Sequence, residues 1–229
     1  MPLSKQHLAL FGLLIVLLAI VYADIFQGLF YDWSNDENYS HGFLVPAISA
    51  YFAWQVRDQL KADLIKPLNS GLLLIVFALL VLFAGVSAQV DFALRTSFVF
   101  LLCGIVLFLL GWQWFKTLSL PLGFLFFMIP LPYIVYDSLA FPLKLFVAKF
   151  SVIALKLMGV IVLREGNIIM FPETVLEVAD ACSGLRSLMS LLALGVALAF
   201  FTQEKKSLRV VLILLTIPIA ILTNMLRVI

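Results

Sequence analysis

The chain has 229 residues, 64% of them hydrophobic and 12% charged, with a formal net charge of +2 and a mean hydropathy of +1.14. Soluble domains carry about a quarter charged residues, so this composition excludes a soluble core and predicts an all-α polytopic membrane protein, one integral membrane domain over 1–229. The composition also argues against a nucleic-acid partner, a disulfide framework or a metal centre: there is no basic stripe, there are two cysteines, and the two histidines lack zinc-ligand spacing. No cofactor is implied.

In chain order, apolar runs long enough to cross a bilayer fall near 8–28, 41–57, 70–90, 94–112, 116–135, 183–201 and 208–229, which predicts about seven transmembrane helices. The first run follows Met1 to Lys5 but shows no small-residue cleavage site after Val21, so it reads as a retained helix, not a signal peptide. The segment 24–40 carries Asp24, Asp32, Asp36 and Glu37 without a basic residue, and is expected to face outward. The loops 57–69 (Arg57, Lys61, Lys66) and 202–209 (Lys205, Lys206, Arg209) are expected to be cytoplasmic by the positive-inside rule. Segment 136–161 holds Lys144, Lys149 and Lys156 and follows Pro130 and Pro132, with Pro142 inside it. Each lysine would cost about 2.5–3.5 kcal/mol at mid-bilayer, which favours an interfacial amphipathic helix or a broken one. Asn167–Phe171 and Thr174–Ala179 flank Pro172-Glu173 and predict a small outer-face β-hairpin, within an outer-face region around 162–187. Such a hairpin either caps the bundle or offers a strand edge to an extended peptide.

The segment Asp180-Ala181-Cys182-Ser183-Gly184-Leu185-Arg186-Ser187 stands where polar, irregular chain turns into an apolar helix. A thiol at a helix start sits at the positive end of the macrodipole, which favours the thiolate. Arg186, four residues on, adds a second positive field, and Ser183-Gly184 allows close backbone approach. The opposing reading is an inert apolar cysteine, which is how Cys103 reads inside its uniform run. Asn224 and Arg227 share a face of the last helix. Arg227 is either a snorkelling interfacial residue or a guanidinium that stabilises a thiolate or an oxyanion. His41, in Tyr39-Ser40-His41-Gly42, is an interfacial histidine or a base, and sequence alone does not join it to the thiol. His7 lies near the cytoplasmic end of the first helix and reads as incidental. Sidedness places Cys182, Arg227 and His41 in one outer layer, provided 136–161 makes no complete crossing.

In order, the Tyr39-Ser40-His41-Gly42, Ala181-Cys182-Ser183-Gly184-Leu185-Arg186-Ser187 and Asn224-Met225-Leu226-Arg227 elements resemble the exosortase/archaeosortase family of membrane cysteine transpeptidase-like enzymes. The resemblance implies a cysteine peptidase or transpeptidase of the bacterial inner membrane, its site facing the periplasm. Its implied partners, besides membrane lipid, are exported proteins ending in a Pro-Glu-Pro motif, a transmembrane helix and a basic tail, in systems linked to exopolysaccharide and biofilm assembly. It implies Cys182 as nucleophile and Arg227 as its arginine partner, with His41, Ser183, Gly184, Arg186 and Asn224 in binding or supporting places. The bacterial family also carries a later histidine, and ending at Ile229 in an apolar run leads us to expect a further C-terminal span. A non-enzymatic transporter, a polysaccharide-export component and a catalytically dead relative are the competing readings.

Overall fold

A computed structural model describes residues 5–61, 64–177, 185–203 and 205–228. The chain divides into two compact units, one of residues 1–36 and 42–129, the other of residues 37–41 and 130–229.

The first unit begins with α1 (Lys5–Val21) and α2 (Ala23–Asn35), which meet at Tyr22 with a bend of 61°. Tyr22 is fully buried, and its hydroxyl lies 3.0 Å from Ser97 Oγ. Ser97 Oγ gives its own proton to the Leu94 carbonyl at 2.6 Å, so the tyrosine is the donor. A buried hydroxyl needs a partner, and this pairing ties the bend to the helix that carries Ser97. After a 3-10 turn (Ser40–Phe43) come α3 (Leu44–Gln55), α4 (Ser70–Ala88), α5 (Asp91–Leu109) and α6 (Trp112–Phe124). α4 and α5 form an antiparallel pair turned by Gln89, which takes the left-handed conformation at φ 54°. Gly71 lets α4 touch the Phe108 backbone, the small-residue contact through which membrane helices approach.

The second unit holds α7 (Tyr133–Leu157), three short strands, α8 (Leu185–Thr202) and α9 (Lys206–Val228). The predicted hairpin is present as β2 (Ile168–Met170) and β3 (Val175–Glu177), paired Ile168↔Glu177, Ile169↔Leu176 and Met170↔Val175. A further strand, β1 (Leu163–Glu165), pairs with β2, so the sheet has three strands in the order β1-β2-β3. The turn between β1 and β2 uses Gly166 at φ 61°. Ile169 is fully buried and packs with Val147, Ala148, Val152 and Leu155 of α7, which seats the sheet on that helix.

Among the described residues four helices are long and apolar enough to cross a membrane: α4, α5, α7 and Lys206–Leu226 of α9. Counting the bent α1–α2 pair as one span makes five. α3 and α6 have 12 and 13 residues, about 18–20 Å of helix against a hydrocarbon core of about 30 Å. Of the two expectations for segment 136–161, an interfacial helix or a broken one, the broken one does not hold: most of it lies in one continuous helix of 25 residues with Pro142 inside it. Proline is tolerated in membrane helices where local adjustment restores the freed backbone groups. Ala140, Val147, Ala148, Ser151, Val152 and Leu155 form its buried face, while Lys149 and Lys156 are exposed and their long stems can carry the charge away from apolar surroundings.

Candidate active site

Cys182, Ser183 and Gly184 lie outside the described residues, as do the side chains of Arg186 and Arg227. The helices that carry Arg186 and Arg227 are described, and the geometry of α8 and α9 sets the levels at which those two positions sit. Gly195 of α8 faces Thr216 of α9 so closely that a Cβ at 195 would collide with the threonine side chain. Helices joined by so short a connection run antiparallel, and that contact fixes their register. Counting at 1.5 Å per residue, Leu185 lies about 15 Å from the contact and Arg227 about 16 Å, in the same direction. Arg227 therefore stands level with the first residue of α8. Asn224 and Ser187 are likewise level, each about 12 Å from the contact. Asn224 is 2% exposed, a buried amide just below the helix ends.

His41 joins this arrangement. Its Nδ1 lies 3.3 Å from Ser190 Oγ, across 149 residues of sequence. Ser190 follows Arg186 by four residues on α8, so the two positions share a face. The segment supplying the histidine is anchored within the same unit. Tyr39 is buried, and its hydroxyl accepts from the Leu131 N–H at 3.2 Å. Its ring stands 6.5 Å from the imidazole, and Ser40 Oγ donates to the Glu37 carbonyl.

Sequence reasoning missed Ser190, although it stands four residues after Arg186 and so on the same helix face. It also missed a polar cluster in the first unit. Arg95, on α5, has a side chain only 7% exposed, and it pairs with Asp32 of α2 at 2.6 Å. Asp91, one turn earlier on α5, lies 3.5 Å from the guanidinium. An arginine within an apolar run is by default a paired or functional residue, and that signal was available. In the same unit Gly42 abuts the Trp33 indole, whose Nε1 donates to the Met128 carbonyl at 2.9 Å. Among the described residues no three His, Cys, Asp or Glu side chains converge to hold a metal ion.

The second unit thus brings to one end of α8 and α9 a helix start, two arginine positions, a buried amide and a histidine. A helix start with cationic neighbours suits a thiolate or the oxyanion of acyl transfer. The family model for transmembrane exosortases (EpsH) matches residues 33–229, well over half of the chain. The chain belongs to the exosortase family. The match takes in the His41 segment, the Cys182 segment and the Asn224–Arg227 turn alike. As a member of that family it is a multi-pass membrane protein of a class of cysteine transpeptidase-like sorting enzymes that act on exported proteins. No curated protein and no solved structure matches the chain.

Proposed function

We propose that this exosortase-family protein is a cysteine protease or transpeptidase that cleaves C-terminal sorting signals of the Pro-Glu-Pro type. In this reading it works at the outer face of the bacterial inner membrane, in the service of surface and exopolysaccharide assembly. The observation that carries the proposal is the α8–α9 register, which sets Arg227 and Asn224 level with the first turn of the helix that follows Cys182.

The Cys182 thiolate attacks the carbonyl carbon of the scissile peptide bond, forming a C–S bond and an oxyanion. Arg227 and backbone N–H groups at the start of α8 stabilise that charge. Collapse breaks the C–N bond, and the departing amine takes up the proton that the thiol gave away. The thioester then passes its acyl group to an amine, a hydroxyl or water, which restores the thiol. Ser183 and Gly184 allow the substrate backbone to approach, Arg186 and Asn224 orient substrate or guanidinium, and His41 supports the α8 face. A substrate held by its own membrane helix meets the thiol at a fixed depth, which removes much of the entropic cost of encounter.

The test is processing of a tagged exported protein with such a signal, in membranes carrying the chain or its variants. Cys182→Ala is expected to abolish processing, and Arg227→Ala to reduce it by at least about 100-fold, the scale for losing one oxyanion donor. Processing that persists in Cys182→Ala refutes the reading.

A further inference from the structure

A histidine is a poor choice for packing alone. An interhelical hydrogen bond in a membrane protein averages about 0.6 kcal/mol, and an aliphatic side chain at the same place would bury apolar surface without a polar group to satisfy. Yet the chain from Glu37 to His41 is tied down just before the imidazole and at the ring itself. Tyr39 is held through the Leu131 N–H, Ser40 through the Glu37 carbonyl, and the ring itself through Ser190. Ser190 lies five residues inside α8, about 7.5 Å along the axis from Leu185. The imidazole meets α8 there at hydrogen-bond distance. Its contact is with the face that carries Arg186 one turn nearer the helix start.

We propose that His41 is a positioning residue for the thiol chemistry, acting through its Nδ1 contact with Ser190. The contact holds the first two turns of α8, and with them the backbone that presents Arg186, in the register that faces Asn224 and Arg227. The inference rests on the reading of Cys182 and Arg227 given above. Without the contact the first turns of α8 lose a lateral anchor beyond the Gly195–Thr216 packing, and the cationic field at the thiol weakens.

The experiment uses the full chain with Cys103→Ser, which leaves Cys182 as the only thiol. Two readouts are taken: the rate of Cys182 alkylation by iodoacetamide at pH 7 in purified protein, and processing of the sorting-signal substrate. His41→Ala and Ser190→Ala are each expected to slow both by about tenfold, the change in thiolate that one pKa unit produces. The double variant is expected to be no slower than either single one, because both remove the same contact. His41→Asn places its amide where Nδ1 stands and is expected to recover to within about threefold of the parent. His41→Gln, which places its amide at the position of Nε2, is expected to stay slow. These two near-isosteric variants carry the test if His41→Ala fails to fold.

Multiplying effects in the double variant, an asparagine no faster than glutamine, or full recovery with His41→Leu would each overturn the proposal. Failure of the proposed function shows instead as processing in Cys182→Ala, an arm that leaves the alkylation comparison intact.

Discussion

Removing the Arg95 guanidinium isolates a carboxylate that the fold has drawn out of water. Asp32 sits 2.6 Å from Arg95 with 31% of its side chain exposed, while Arg95 keeps only 7%. Breaking a fully buried pair by deleting one partner costs about 3–5 kcal/mol. The remaining exposure of Asp32 lets water recover part of that, so about 2–3 kcal/mol is expected for Arg95→Met. Asp91, 72% exposed at 3.5 Å, contributes about 0.5 kcal/mol at most. In a chain of this size 1 kcal/mol moves the melting midpoint by about 2–4 °C, so Arg95→Met should lower it by about 4–12 °C. The second half of the experiment decides the cause. Adding Asp32→Asn to Arg95→Met removes the stranded charge, and replacing both members of such a pair is often close to neutral. The double variant should therefore melt above Arg95→Met and within about 4 °C of the parent. The assay is the fraction of detergent-solubilised protein that stays monodisperse after heating. A single variant that shifts less than about 2 °C, or a double variant that melts below it, refutes the electrostatic account.

Two further outcomes follow from packing. Gly195→Ala should loosen α8 from α9, because its Cβ meets the Thr216 side chain; overpacking of this kind costs about 1–3 kcal/mol. Adding Thr216→Ala removes the obstructing Oγ1 and Cγ2 and should restore most of the melting midpoint, while an unrescued double variant would disprove the register. Ile169→Ala should cost about 2–5 kcal/mol, since the side chain is fully buried between the sheet and α7. Limited proteolysis should then cut within 162–177 before any helix, and cutting elsewhere first would show that the sheet does not depend on that seat.

What could be read in the sequence was mostly local. Apolar runs announced the helices. The β-prone stretches around Pro172-Glu173 announced β2 and β3 with their pairing, because strand alternation and a turn residue act over a few positions. The Gly166-Asn167 pair was an equally local turn signal, and taking it up would have supplied β1. The break at Tyr22 carries no glycine or proline to announce it. Tyr22 there bonds to a serine 75 residues away, and no window of sequence contains both partners. The same holds for Arg95 with Asp32 and for His41 with Ser190, whose separations are set by how helices pack. The broken alternative for 136–161 failed for another reason: Pro142 does not interrupt α7, since local adjustment can restore the backbone groups that a proline frees. Of the candidate site, sequence pointed to Cys182, which lies outside the described residues, and to Arg186, Asn224 and Arg227, whose levels on α8 and α9 required the Gly195–Thr216 contact.

That contact also bears on whether the chain conducts a solute or works on one at its surface. A transporter places polar groups and interrupted helices near mid-bilayer, where they line a path between segments that can part. In α8 and α9 the middle is closed by small residues: Gly195 against Thr216, with Ala193, Ala197, Ala199 and Ala220 buried around them. Such residues bring backbones together and leave no room for a path between this pair. The polar positions lie beyond that seal, with Arg186 the second residue of α8, Ser190 the sixth, and Asn224 and Arg227 in the last turns of α9. A closed middle with the candidate site positions at one end suits chemistry on a substrate that arrives at that end. In the proposed reaction this gives close packing a part: the tighter Gly195 and Thr216 hold, the less the distance between the start of α8 and the Arg227 position can vary.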